Sequence, residues 1–211
     1  MSSLATLLVL ADSRLPTGGH VHSGGVEEAV TSGLVTDLGT LRAFLSRRIR
    51  TSGLVTASVA AAVHAGALSV ADGDRETDAR TPAPAARGAS RAQGRGLLRL
   101  ARKVWPDGNW ESLGAKPHLA VAAGAVGAAS GLLPEQTAVS VVYTTMTGSA
   151  TAAQRLLALD PGDVAALTFE LSALCDQTAA QASKELADLS DPLLDVLAQR
   201  HVERDRPLFV S

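Results

Sequence analysis

The chain has 211 residues, of which 19 are basic and 21 are acidic, so its formal net charge at pH 7 is −2. That length allows one domain with a hydrophobic core of its own. The balanced charge and the lack of a basic block exclude the electrostatic footprint of a nucleic-acid-binding protein. A single cysteine, Cys175, excludes an intramolecular disulfide and a multi-cysteine zinc site, which favours a reducing, cytoplasmic compartment.

Hydrophobic residues make up 46% of the chain, but aromatic residues make up only 3%. The core must therefore be built from Ala, Leu and Val, and the many small side chains indicate close contacts between helices. This composition predicts an all-α fold. We expect a single domain over residues 1–211, a bundle of roughly eight to ten helices.

The first predicted elements flank a glycine-rich loop. Apolar residues at helical spacing over 4–11 predict a short helix, which ends before Pro16 because the residue preceding a proline disfavours helix. Glycines interrupt regular structure over 16–25, and a second helix over 26–30 ends at Gly33. The loop is therefore held between two helices.

A third helix and an abrupt change of composition follow. Asp37 is a suitable N-cap for this helix, whose arginines at positions 42, 47, 48 and 50 lie mostly on the solvent side. An alanine-rich helix over 54–70 comes next. Residues 71–90 are then dominated by Asp, Arg, Thr, Pro and Gly. We expect an exposed, mobile connector over 71–90, since prolines inside it cannot continue a helix.

The second half of the chain is predicted to be helical between turns. A helix over 91–104 breaks at a turn over 105–109. After Pro117, Gly124 and Gly127 remove side-chain bulk so that a neighbouring backbone can approach, which predicts the most buried helix.

The segment 119–154 has Glu135 as its only charged residue and would attract a membrane interpretation. Pro134, Glu135 and many hydroxyl side chains favour buried helices instead. The β-branched run 137–147 is predicted to be helix because a lone strand would leave its backbone unpaired.

The last predicted elements are amphipathic helices over 163–184 and from residue 190, followed by a tail at 204–211.

His20 and His22 form a His-x-His pair in the glycine-rich loop, a spacing that can present two imidazoles to one metal ion. Two nitrogens fall short of a complete ligand set, so we predict no metal site and keep this pair as the only candidate. A third ligand would have to come from elsewhere in the fold, from a carboxylate or from His64, His118, His201 or Cys175.

Other polar residues have structural explanations. Glu27 lies in the first turn of the second helix, where a carboxylate favours the helix dipole. Arg155 either marks an exposed helix edge or makes a buried contact, and the sequence leaves both open. Asp12, His22 and Ser23 are the residue types of a hydrolytic triad, but no nucleophile elbow frames Ser23. The glycines of the loop lack the Lys-Ser/Thr pair that a P-loop requires.

Several blocks resemble the UreF family of urease accessory proteins. Residues 10–27 read LADSRLPTGGHVHSGGVE, which is similar to the family's opening signature. His20 departs from it, since an aromatic residue is common there. Further resemblance lies in four blocks that extend over most of the chain, at 87–98, 116–124, 152–156 and 201–211.

This resemblance implies an all-α homodimer that acts as a chaperone or adaptor and is not an enzyme. Such a protein binds the accessory protein UreD, also called UreH, and recruits the GTPase UreG onto apo-urease, with a proposed influence on its GTPase activity. Nickel is then handled by the complex, with no cofactor bound tightly by this chain. The alternative is a nickel carrier that uses the loop with His20 and His22.

The resemblance also suggests which residues contact partners. The tail at 204–211 is implicated in binding the second accessory protein. Three residues would shape the presenting loop, namely Pro16, Gly18 and Gly19. The expected partner-binding residues are His22, Glu27, Arg155, Leu208 and Phe209, and none of them would be catalytic.

Overall fold

A computed structural model describes residues 4–17, 19–205 and 207–209, leaving aside the side chain of His20. These residues form helices and turns without any strand, which confirms the all-α prediction. The α-helices are α1 Leu4–Leu10, α2 Val26–Thr31, α3 Leu38–Arg48, α4 Leu54–His64, α5 Val70–Arg80, α6 Pro84–Val104, α7 Leu119–Ala129, α8 Pro134–Leu157, α9 Pro161–Glu170, α10 Ser172–Ala182 and α11 Pro192–His201.

Helices α3 and α4 form one continuous rod. A π-helical turn over Ile49–Gly53 joins them. The rod begins at Asp37, whose carboxylate accepts a hydrogen bond from the backbone N–H of Thr40 at 2.8 Å, while the Thr40 hydroxyl accepts one from the Asp37 N–H at 3.0 Å. This reciprocal cap confirms the predicted N-terminus. The rod ends at His64, earlier than predicted, and Gly66 then adopts a φ of 72°.

The centre of the bundle is formed by α4, α7 and α8. Ala120, Val121 and Ala122 of α7 are fully buried. A Cβ placed on Gly124 would lie 2.5 Å from the carbonyl oxygen of Ala60 on α4. The predicted close approach at this glycine is therefore confirmed, and it brings the backbones of α4 and α7 together.

The main core lies between the α3–α4 rod, α8, α10 and α11, and its largest fully buried apolar side chains are Leu41, Leu45, Ile49, Met146 and Leu197. A smaller cluster joins α6 to α7 and includes Trp110, whose indole N–H donates to the carbonyl of Trp105 at 2.6 Å. Trp105 and Trp110 thus stabilise the turn after α6, whereas the main core is filled mostly by aliphatic side chains.

The structure corrects the predicted connector over 71–90. Helix α5 covers Val70–Arg80 and α6 begins at Pro84, so only residues 81–83 lie between helices. The Ser69 side chain caps α5 by accepting the Asp72 N–H at 3.1 Å. Pro84 occupies the first turn of α6, where a proline needs no amide partner. The polar composition of 71–90 indicated an exposed connector. The charged residues of α5 instead form ion pairs with α6, so this segment can be helical and packed.

Other boundaries also differ from the expectation. The run 137–147 lies inside α8, as predicted. The single helix predicted over 163–184 is divided at Leu171 into α9 and α10. Across the described part of the chain, none of the helices combines the length and the apolar character that crossing a membrane requires.

Candidate partner-binding site

The glycine-rich loop enters α2 through two residues with positive φ, Gly24 at 64° and Gly25 at 88°. Arg48 of α3 donates from Nη1 to the Gly24 carbonyl at 2.6 Å, and a Cβ on Gly24 would lie 2.5 Å from the guanidinium. The Ser149 hydroxyl donates to the Ser23 carbonyl at 3.0 Å. Glycine is required at position 24 by both backbone conformation and space.

Arg48 does not lie on the solvent side as predicted. It reaches inward to the loop, and burial of its guanidinium lowers the pKa of Arg48 to about 10. The side chain remains charged at neutral pH, so a cation is fixed directly beneath the glycine-rich loop. The backbone carbonyl of Gly24 provides the hydrogen bond that helps to compensate for the lost hydration.

Helix α11 is positioned against the rod by Asp191. This buried carboxylate caps α11 by accepting the N–H groups of Leu193 and Leu194 at 3.1 and 3.3 Å. It also pairs with Arg47 through two guanidinium nitrogens and accepts the Thr51 hydroxyl at 2.7 Å. Burial alone would raise the pKa of Asp191, but the hydrogen bonds from Arg47 and Thr51 outweigh it and lower the pKa.

The C-terminal tail folds back onto α2 and is held by Glu27. Glu27 is 2% exposed, and its carboxylate accepts three hydrogen bonds. His201 Nε2 donates to Oε2 at 2.8 Å, the Leu208 N–H donates to Oε1 at 2.7 Å, and the Phe209 N–H donates to Oε2 at 3.1 Å. Glu27 thereby joins the first turn of α2 to the end of α11 and to the tail.

We call Glu27 and its three donors, His201, Leu208 and Phe209, the clamp. Its electrostatics favour an ionised Glu27. Burial opposes the charge, but the hydrogen bonds from Leu208, His201 and Phe209 outweigh it, so the pKa of Glu27 is lowered. Because a carboxylate only accepts hydrogen bonds, His201 carries its proton on Nε2. The neighbouring Glu28 adds a contact at the start of the tail, where Arg204 Nη1 donates to its carboxylate at 3.0 Å.

The two tail residues expected to contact partners differ in their exposure. Phe209 is half-buried and packs against the main core. Leu208 points outward with 79% of its surface exposed, although its backbone is fixed by Glu27. The clamp therefore holds the tail backbone in place and leaves one large apolar side chain in solvent. The rest of the predicted tail at 206, 210 and 211 lies outside the described residues.

The other predicted site residues are partly brought together. A groove of about 360 Å³ is lined by Gly19, His22, Arg155 and Phe209, among others. Arg155 is exposed near the end of α8, which settles the alternative that the sequence left open. His22 is buried, and Pro16 is exposed. Gly18 and the side chain of His20 lie outside the described residues.

Glu27 has a different setting from the one expected, since its carboxylate faces the tail and not the solvent. A partner would meet Glu27 directly only after displacing the tail.

The metal candidates gain no ligand set. In the described part of the chain, no three or more His, Cys, Asp or Glu side chains are grouped as a metal ion would require.

A second buried polar cluster escaped the sequence prediction. His118 is fully buried, with Nε2 at 2.9 Å from Asp78 and Nδ1 at 3.0 Å from the Ser90 hydroxyl. Its backbone N–H donates to Asp74, and Arg91 pairs with both carboxylates. These contacts join α5, α6 and the start of α7. The cluster was missed because its carboxylates had been assigned to the connector.

The residue types of a serine hydrolase occur in this cluster, but their arrangement is structural. The Ser90 hydroxyl accepts the Leu119 N–H at 3.2 Å, so it acts as a cap for the start of α7. Burial lowers the pKa of His118, which favours the neutral ring.

Comparison with known proteins shows close relatives. The family model described as UreF matches residues 35–172. The urease accessory protein UreF of Mycolicibacterium vanbaalenii is 79% identical, and the alignment covers 100% of each chain. Proteins of the same description from Mycobacterium sp. (strain JLS) and Mycobacterium tuberculosis (strain H37Rv) are 78% and 72% identical, again over 100% of each chain.

Proposed function

The chain belongs to the UreF family of urease accessory proteins, and from that premise we propose that it is a non-enzymatic adaptor in urease maturation. It binds the accessory protein UreD (UreH) and recruits the GTPase UreG to apo-urease. Nickel passes into urease within that complex, and this chain holds no cofactor tightly. The adaptor works in the cytoplasm as a homodimer.

The observation that supports this role is the clamped tail. Two hydrogen bonds to Glu27 fix the tail backbone, and a third joins Glu27 to His201 at the end of α11. The Leu208 side chain nevertheless contributes nothing to the core at 79% exposure. Because the backbone of Leu208 is already held, little backbone conformational entropy is lost when a partner covers this residue. Burial of its apolar surface against a partner is favourable.

The tail lies next to other residues that are expected to bind partners. Phe209 lines the same groove as His22 and Arg155, so the tail, the loop and the end of α8 form one continuous surface. A partner that covers Leu208 would therefore also meet the groove. This arrangement suits a protein that brings other proteins together, since the groove residues need only contact a surface and not transform a substrate.

Co-purification tests the proposal. Tagged chain is mixed with UreD, UreG and apo-urease, with and without GTP, and the complex is quantified. We expect the wild-type chain to retain all partners, whereas Leu208→Asp and a truncation after Glu203 lose UreD. Phe169→Asp is the matched control, because Phe169 on α9 is also an exposed apolar residue, at 80%.

Two outcomes would contradict the proposal in different ways. If the wild-type chain retains no partner under any nucleotide condition, the adaptor function is wrong. If Leu208→Asp and Phe169→Asp retain the partners equally, the adaptor function stands but the role of the tail is wrong.

A further inference from the structure

A row of cationic side chains runs along the exposed face of α6. Arg95, Arg99 and Arg102 follow one another at helical spacing, and Lys103 lies beside them. All four are exposed, and within the described residues none of the four takes part in an ion pair or a side-chain hydrogen bond. We call Arg95, Arg99, Arg102 and Lys103 the α6 cationic row.

The row contrasts with the other arginines of the same helix. Arg91 pairs with Asp74 and Asp78 of α5, and Arg87 lies 3.6 Å from Asp78. Those arginines hold α5 and α6 together, whereas the cationic row stabilises nothing within the described chain. Like charges three or four residues apart weaken a helix slightly. The fold therefore maintains a repulsive row that it does not need for its own stability.

The position of the row is fixed by the glycine-rich loop. Gly96, on the buried face of α6, has the backbone of Thr17 against it and leaves no room for a Cβ. The row and the loop form the two sides of a shallow depression of about 510 Å³, lined by Arg95, Arg99 and Arg102 on one side and by Thr17, Val21 and His22 on the other. The row thus borders the loop that leads into the candidate partner-binding site.

We propose that the α6 cationic row is a docking surface for an acidic segment of a partner protein in the urease-maturation complex, an inference that rests on the proposed function. The row from Arg95 to Arg102 spans about 10 Å, or two helical turns. A partner segment with two or three carboxylates at matching spacing pairs with these guanidinium groups, and arginine forms bidentate bonds with carboxylates.

The surroundings of the row favour a protein partner over a nucleic acid. Val21 and Val104, at 36% and 52% exposure, add apolar surface at the loop and at the end of α6. None of the described residues that line the depression is Phe, Tyr or Trp, whereas single-stranded nucleic acids are bound through stacking on aromatic side chains. The net charge of −2 also opposes a polyanion that would cover more than this row.

A charge-reversal experiment on the full chain tests the docking surface. Arg99→Glu with Arg102→Glu is compared with Arg50→Glu with Lys184→Glu, which removes two exposed cations elsewhere and changes the net charge equally. Binding of each double variant to UreD, UreG and apo-urease is measured at low and at physiological salt. We expect the α6 variant to lose at least tenfold in affinity for one partner and the control variant to lose less. The affinity that remains in the α6 variant should depend less on salt than the affinity of the wild type does.

Carbodiimide cross-linking provides a second readout. It joins a lysine amine to a carboxylate in direct contact, so wild-type complexes should contain a cross-link from Lys103 to an Asp or Glu of the partner. Arg99→Glu with Arg102→Glu should lose that cross-link while its circular dichroism and thermal unfolding remain those of the wild type. Lys184 serves as the matched lysine and should form no such cross-link.

The outcomes separate this inference from the function it rests on. If wild type assembles and the α6 variant binds like the control, the docking surface is wrong and the adaptor function stands. If wild type does not assemble, the adaptor function itself fails and the inference falls with it. If the α6 variant assembles normally but loses binding to single-stranded DNA, the row binds nucleic acid and the acidic-protein partner is wrong.

Discussion

Replacing Glu27 by glutamine should release the C-terminal tail without unfolding the bundle. The amide has nearly the same shape as the carboxylate, but it presents one oxygen and one NH₂ group to three donors. If its oxygen stays at the Oε2 position, the NH₂ group faces the Leu208 N–H, which is 2.7 Å from Oε1 in the native clamp. One charge-assisted hydrogen bond is lost, and the two others become neutral.

The magnitude follows from the number of bonds. Hydrogen bonds to charged groups contribute about 1.5–3 kcal/mol each, and neutral ones contribute about 0.5–1.5 kcal/mol. Loss of the Leu208 bond and weakening of the Phe209 bond should therefore weaken the hold on the tail by about 2.5–4.5 kcal/mol. At about 1.4 kcal/mol per tenfold, the open population of the tail rises at least thirtyfold. The loss of global stability should be smaller, because an exposed tail can detach while the core remains packed.

Hydrogen exchange measured by mass spectrometry checks this prediction. The amides of Leu208 and Phe209 should exchange at least thirtyfold faster in Glu27→Gln, while the amides of α4 and α7 keep their protection. Glu28→Gln is the control, since Glu28 holds the tail only through Arg204. Equal protection of Leu208 and Phe209 in the wild type and in Glu27→Gln would refute the clamp.

Three further predictions concern acidity, the glycine-rich loop and the second polar cluster. The folded pKa of Glu27 lies below its ordinary value of 4.5, so the stabilisation by this carboxylate is present above pH 4.5 and is lost as pH falls through the folded pKa. Acidification should therefore accelerate hydrogen exchange of the tail amides, whereas at neutral pH these amides should stay protected. Gly24→Ala should lower the free energy of unfolding measured in urea by about 1–3 kcal/mol, because φ is positive and Arg48 occupies the space of the Cβ. Gly33 has a similar φ but no neighbouring atom within 4 Å of an added Cβ, so Gly33→Ala should lower the free energy of unfolding by less. Asp78→Ala should cost about 1–3 kcal/mol because the buried His118 ring loses a partner, and an unchanged denaturation midpoint would contradict this.

The helices were predictable from local signals, and the connector shows where those signals fail. The cap at Asp37, the glycines of α7 and the apolar spacing of α1 act within a few residues of the chain, so the sequence reveals them directly. Over 71–90, polar composition indicated an exposed loop. The charges of α5 are instead paired across the chain, and Pro84 begins a helix that it would have broken further inside.

The geometry of the candidate site could not be predicted from the sequence. Glu27 was expected to contact a partner, and its position in the first turn of α2 was read correctly. Its actual hydrogen-bond partners lie 174 to 182 residues away in the chain. No local pattern reports a contact of that separation. In the sequence, His201 is a candidate metal ligand and the first residue of the 201–211 block, and neither pattern reports that its side chain bonds to Glu27 from the end of α11.

We propose above all that this chain enables other proteins to load nickel into urease. The most direct test measures the nickel content and the activity of urease matured with UreD and UreG, in the presence and absence of this chain. The account predicts nickel-containing, active urease with the wild-type chain, a strong loss with Leu208→Asp, and little change with Phe169→Asp. Equal nickel content and activity without the chain would contradict it.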